Sequence, residues 1–201
     1  MSETRIAIIS DTHIPDRAAE LHPALIGELE NRQVDLILHA GDISVPAIVD
    51  RLSEIAPVQA VRGNRDLFFP GRLPIAIEME VNGVSLVLTH GHLNFLTYAW
   101  DKFQYLFRGY DRSRFIHRLA DAYPKAKVII FGHSHRAENL WVDGRLFFNP
   151  GSAAIGDLWD RTCSFGLIEI HQDGEIKSQL VPLEGYRLIR RKWRPVQTRK
   201  K

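Results

Sequence analysis

Five short apolar runs, each leading into a residue able to bind a metal, constrain this chain more than any other feature. "RIAIIS" leads to Asp11 and His13, "VDLILHAG" to Asp42, "PVQAVRG" to Asn64, "VSLVLT" to His90, and "KVIIFG" to His133 and His135. Runs of this length, rich in β-branched residues, read as buried strands. In open α/β sheets the loops beyond the carboxyl ends of strands converge on a ligand. Alone, the pair His133 and His135 reads as a polar strand end. Beside four similar blocks, it reads as part of one site.

The pattern between these runs sets the fold class. Leu21, Leu25 and Leu29 recur at helical spacing within 21–33, and a second helix is expected from Pro46 to Ile55. The first third therefore alternates β and α, as a parallel sheet requires. Afterwards the turn dipeptides Asn82-Gly83, Asp143-Gly144 and Asp173-Gly174 sit between strand-like runs and predict hairpins, because they tolerate positive φ. A mixed α/β fold follows, with sheets packed face to face and helices outside. Residues 113–123 read as an amphipathic helix. The aromatic stretch 93–112 reads as core, substrate lid or oligomer contact.

A chain of 201 residues suits one core. No apolar run approaches the length of a membrane span. With no export signal and one cysteine, Cys163, which cannot pair internally, the expectation is a cytoplasmic protein without disulfides. Residues 190–201, "RRKWRPVQTRKK", hold seven of the 26 Lys and Arg and no acid, leaving 19 basic against 24 acidic residues elsewhere. The expected organisation is one domain over 1–189 and a basic, flexible tail over 190–201. That tail could make weak nucleic-acid contacts through phosphate neutralisation, and homo-oligomers stay open.

The donor set suits phosphoryl chemistry. Two metals close together can position an attacking hydroxide and clamp a phosphoryl group for in-line displacement. Two divalent ions facing Asp11, Asp42 and one hydroxide keep a residual positive charge, because Asn64 and the imidazoles are neutral. Histidine-rich, thiolate-free ligation favours manganese, iron, cobalt, nickel or zinc over magnesium or calcium. Manganese is the first expectation.

The ordered set Asp11-x-His13, Gly41-Asp42, Gly63-Asn64-x-Asp66, His90 and Gly132-His133-x-His135 resembles the calcineurin-like metallophosphoesterase family. "NPGS" at 149–152 extends the likeness towards its small, prokaryotic, phosphodiesterase-like branch. The resemblance implies a four-layer α/β/β/α sandwich with two mixed sheets. It also implies a binuclear hydrolase of phosphoesters, above all phosphodiesters. One ion would take Asp11, His13, Asp42 and His135, and the other Asp42, Asn64, His90 and His133, with Asp42 bridging.

The pattern departs at Arg65, where many members carry a histidine that protonates the leaving group. Arginine does not readily donate a proton, but its fork can grip a phosphate oxygen. Asn64 and Arg65 are thus the candidate catalytic and substrate-binding residues, and His92 is a candidate substitute acid or a supporting histidine. Asp66 is expected to orient the loop, and His39 to pack behind the site. Two rivals share the fold: a scaffold, since a eukaryotic retromer subunit resembles the same branch yet works through protein contacts, and a nuclease or nucleic-acid-binding protein led by the tail.

Overall fold

β1 (Glu3–Ile9) shows how the layers arise, because its residues alternate between two cores: Ile6 and Ile8 face one way, Ala7 and Ile9 the other, and all four are fully buried. Period-two alternation with both faces apolar is what a strand covered on both sides requires. The structure is a computed structural model describing residues 3–66, 73–92, 109, 111–156 and 161–196.

β1 pairs in parallel with β2 (Leu36–His39), which pairs in parallel with β3 (Val58–Ala60). On the other side of β1 come β9 (Cys163–His171) and β10 (Ile176–Leu183), both added antiparallel. The second sheet runs β4 (Ala76–Val81), β5 (Val84–Thr89), β6 (Val128–Ile130), β8 (Arg145–Pro150), β7 (Ala137–Val142). Its three inner strands are parallel and its two edge strands antiparallel. The three turn dipeptides close the hairpins β4–β5, β7–β8 and β9–β10, as expected.

Three apolar clusters fill the spaces between four layers. Ile6, Ile8, Leu38, Leu88, Ile130 and Phe148 join the two sheets. Ala7, Ile9 and Ile37 pack against α1 (Leu25–Asn31) and α2 (Pro46–Ser53). Val87, Ile129 and Phe147 pack against α3 (Arg112–Ala122), which is capped by Asp111 accepting from the Arg114 N–H at 3.1 Å. The α/β/β/α sandwich with two mixed sheets is thus the architecture. No helix among the described residues is long and apolar enough to cross a membrane.

The basic C-terminal stretch carries two further strands. β11 (Tyr186–Ile189) and β12 (Lys192–Pro195) form an antiparallel hairpin that straddles residue 190, where the tail was expected to begin. Leu188 and Trp193 face each other across it, and both pack on the α1/α2 cluster. The Trp193 indole N–H donates to Glu20 O at 2.9 Å, and its ring lies edge-on to His22 at 4.5 Å. Buried apolar area and a satisfied indole explain why this stretch folds. Residues 197–201, and most of the aromatic stretch 93–112, lie outside the described residues.

Candidate metal centre

All five site loops leave the carboxyl ends of parallel strands. β1, β2 and β3 deliver Asp11, Asp42 and Asn64 from one sheet, while β5 and β6 deliver His90, His133 and His135 from the other. The site therefore lies at the seam between the sheets. Two backbone bonds stitch the first loops together: Asp11 N–H to Gly41 O at 3.0 Å and His13 N–H to Asp42 O at 2.9 Å. Asp11, His13, Asp42, His133 and His135 all take left-handed backbone, with φ of 54°, 49°, 56°, 71° and 59°. Such φ is costly for residues with a Cβ and gathers at functional sites. Here it turns successive side chains inward from sharp loops.

The side chains form two groups of donors. In the first, His135 Nε2 lies 3.2 Å and His13 Nε2 3.7 Å from Asp11 Oδ1, and the two nitrogens are 3.1 Å apart. In the second, Asn64 Oδ1 lies 3.2 Å from His90 Nε2 and 3.0 Å from His133 Nδ1, and those nitrogens are 3.3 Å apart. Asp42 stands between the groups, with Oδ2 3.7 Å from His13 Nδ1 and Oδ1 3.6 Å from His90 Nε2. All seven positions singled out from the sequence as metal ligands thus come together.

The electrostatics fit a cation. Asp11 Oδ1 and His13 Nδ1 are buried and have no hydrogen-bond partner among the described residues. Burial alone would raise Asp11, but the charges of His135, His90 and His13 outweigh it and hold this carboxyl well below the usual carboxylate range. Burial, helped by the charge of Asp11, pushes Asp42 up to about 6. Burial drives His13 down to about 4 and His133 well below its ordinary value. Burial opposes charge on His135 too, yet the neighbouring Asp11 raises it. Two buried carboxylates facing a cluster of imidazoles, with a buried oxygen left without a hydrogen bond, is the donor chemistry a divalent ion satisfies.

A second circle of bonds holds these groups in place. His90 Nδ1 contacts Ala40 O at 2.6 Å, aiming Nε2 at the site. Asp11 Oδ2 accepts from the Ser10 hydroxyl at 2.6 Å and from the His133 N–H at 3.1 Å, which leaves Oδ1 facing the histidines. Asp66 binds no histidine; its carboxylate takes the N–H groups of Asp42, Gly63 and Ser44 at 2.8, 2.8 and 2.7 Å, tying two loops as expected. From "NPGS", Asn149 Nδ2 donates to Gly132 O at 2.9 Å and the Ser152 hydroxyl to Asp11 O at 2.8 Å. Sequence reasoning gave Ser10, Asn149 and Ser152 no role, although the "NPGS" block itself was visible.

The remaining candidates are near the site but differ in character. Arg65 is exposed, its N–H donates to Asp42 Oδ1 at 2.8 Å, and its guanidinium pairs with Asp16 at 3.5 Å. His92 is buried, with its ring 5.4 Å from that of His90 and 6.2 Å from that of His133, and burial brings it down to about 4. His39 is fully buried behind the site, 3.2 Å from the Thr12 hydroxyl.

Known proteins resemble this chain in sequence and fold. The calcineurin-like phosphoesterase superfamily domain matches residues 4–173. The chain belongs to that family. A probable metallophosphoesterase of Methanothermobacter thermautotrophicus is 34% identical over 155 residues, covering 77% of this chain and 80% of the relative. Another, from Methanocaldococcus jannaschii, is 32% identical, covering 89% and 81%. Among solved structures, Vps29 of Entamoeba histolytica superposes with a TM-score of 0.67 at 25% identity, covering 90% of this chain and 100% of that one. The phosphoesterase family and a possible metal-binding site are thereby on common ground with the sequence reading.

Proposed function

We propose that this metallophosphoesterase is a phosphodiesterase that holds two divalent transition-metal ions across Asp42. The observation carrying this reading is the carboxylate of Asp42 standing between two donor groups, one centred on Asp11 Oδ1 and the other on Asn64 Oδ1. Asp11, His13, Asp42 and His135 would hold one ion; Asp42, Asn64, His90 and His133 would hold the other. Such ions, when bound, supply Lewis acidity toward a phosphoryl oxygen and an activated water near neutral pH. Manganese heads the set, with iron, zinc, nickel and cobalt as alternatives.

The chain's own groups orient the substrate. Arg65, released from its partly exposed pair with Asp16, offers a planar fork to a non-bridging phosphate oxygen. Asn64 stays neutral, which keeps positive charge available to the phosphoryl group. His92, buried and neutral near pH 7, is a poor source of a proton for the leaving group. Leaving groups that depart without protonation, such as aryl alkoxides of diesters, are therefore favoured over alkyl monoesters.

The test is hydrolysis of bis-p-nitrophenyl phosphate by protein loaded with manganese, nickel, cobalt or zinc, with bound metal counted by mass spectrometry. Turnover with two equivalents bound supports the reading. Two equivalents with no turnover of any diester sinks it and leaves the scaffold reading, which the likeness to Vps29 favours. Asp42→Ala should lower the stoichiometry from two toward none; retention of both ions refutes the bridging role.

A further inference from the structure

The β11–β12 hairpin carries five cations, Arg187, Arg190, Arg191, Lys192 and Arg194, and no acid, and all five are exposed. Among the described residues none of them has a carboxylate within ion-pair distance. Arg187 lies directly opposite Arg194 in the register. Like charges facing across a strand pair are destabilising, and a hairpin docked through Leu188 and Trp193 tolerates that repulsion at a cost an anionic ligand would remove. Residues 186–201 hold eight of the chain's 26 Lys and Arg, leaving 18 basic against 24 acidic residues elsewhere, so this element is a local positive field on an acidic body.

The hairpin is fixed beside the loop that leaves the metal centre. Ala19 N–H donates to Arg191 O at 2.8 Å, and the Trp193 indole N–H reaches Glu20 O at 2.9 Å. The same loop starts at His13, whose carbonyl takes the Arg17 N–H at 2.8 Å, and carries Asp16, the partner of Arg65. We propose that this hairpin is a binding surface for the phosphate backbone of a single-stranded nucleic acid.

Three features select that occupant. Four of the five cations are arginines, whose forks match phosphate oxygens two at a time. Tyr186, 38% exposed, presents a ring on which an unpaired base can stack, which a duplex would withhold. Trp193, the side chain best suited to anchor in a bilayer interface, is turned inward with its N–H already satisfied. The proposal concerns binding and stands whether or not the metal centre cleaves diesters.

The experiment is fluorescence anisotropy with a labelled 20-nucleotide RNA and DNA single strand, on full-length protein kept in EDTA so that no cleavage intervenes, over a salt series. The double variant Arg187→Glu/Arg194→Glu should weaken binding at least tenfold, and Arg187→Gln/Arg194→Gln, the gentler variant, should weaken it by less. Each lost phosphate contact should flatten the slope of log affinity against log salt by about 0.7 for single strands. Protection of the Trp193 indole N–H, read by NMR, shows that the hairpin stays docked. Affinity and slope unchanged in both docked variants overturn the proposal. So does binding to phosphatidylserine vesicles in the absence of oligonucleotide binding.

Discussion

Asp66 shows how a residue that touches no substrate can govern the metal centre. Its buried carboxylate accepts three backbone N–H groups, from Asp42, Gly63 and Ser44, at 2.7 to 2.8 Å. A hydrogen bond to a charged group contributes about 1.5–3 kcal/mol, so three set an upper bound of about 5–9 kcal/mol. Loop relaxation and entering water reduce this, and Asp66→Ala should cost about 4 kcal/mol. Asp66→Asn keeps the shape. Its amide can point oxygen at the Asp42 and Gly63 N–H groups, but its NH₂ then faces the Ser44 N–H, a donor against a donor. Losing one acceptor and the charge should cost about 2–3 kcal/mol. Urea unfolding in EDTA, analysed with a common slope, measures both. Metal titration should show affinity reduced about 10- to 100-fold in Asp66→Asn, because the bond to the Asp42 N–H loses its charge and the Ser44 anchor two residues further on is lost. An Asn variant within 0.5 kcal/mol of wild type, with unaltered metal affinity, would refute this account.

Gly132→Ala would place a methyl against the Ser10 hydroxyl and 2.9 Å from Asp11 Oδ2; calorimetry should find metal affinity lowered about 10-fold or more, with the fold intact by circular dichroism. Manganese at 100 times the dissociation constant of a site should stabilise the native state by about 2.7 kcal/mol for each site filled, seen as a higher Tm that EDTA reverses. Burial lowers His22 from 6.5 to about 4, so the docked hairpin keeps this histidine neutral while a released one protonates. Docking is then at full strength above pH 6.5 and weakens as pH falls toward 4, which loss of the Trp193 indole N–H signal should report and His22→Phe should abolish. Phe148→Ala, emptying a fully buried position between the sheets, should cost about 3–5 kcal/mol by urea unfolding.

Much of the fold and the site could be read from the chain because their signals are local. A strand run ending in Asp, Asn or His is a contiguous pattern, and Asn-Gly or Asp-Gly announces its own turn. Helix boundaries were less legible. α1 starts at Leu25 rather than Leu21 because Pro23 follows His22, whose ring turns to Tyr186 and Trp193 instead of continuing a helix. The C-terminal hairpin was missed because its turn is Arg190-Arg191, with φ of 47° and 66°, where glycine or asparagine would have signalled it. The Leu188 and Trp193 pair was visible, but its meaning depended on a partner surface more than 150 residues earlier in the chain. Ser10, Asn149 and Ser152 were illegible for a similar reason. A hydroxyl or amide that serves a neighbouring carboxylate or the backbone of another loop leaves no periodicity and no spacing, only a distance in the folded molecule.

The seam location of the site has a mechanical consequence. Three donors ride on the first sheet, with His13 close behind, and three histidines ride on the second. Any change in the gap between the sheets must therefore appear at the donor atoms. Phe148 and Ile8, deep in that gap, set its width, so trimming either would loosen the grip on an ion as well as the fold. Coordination thus works as a gauge of the sandwich's breathing, and selectivity among metals of different radius becomes a property of the core.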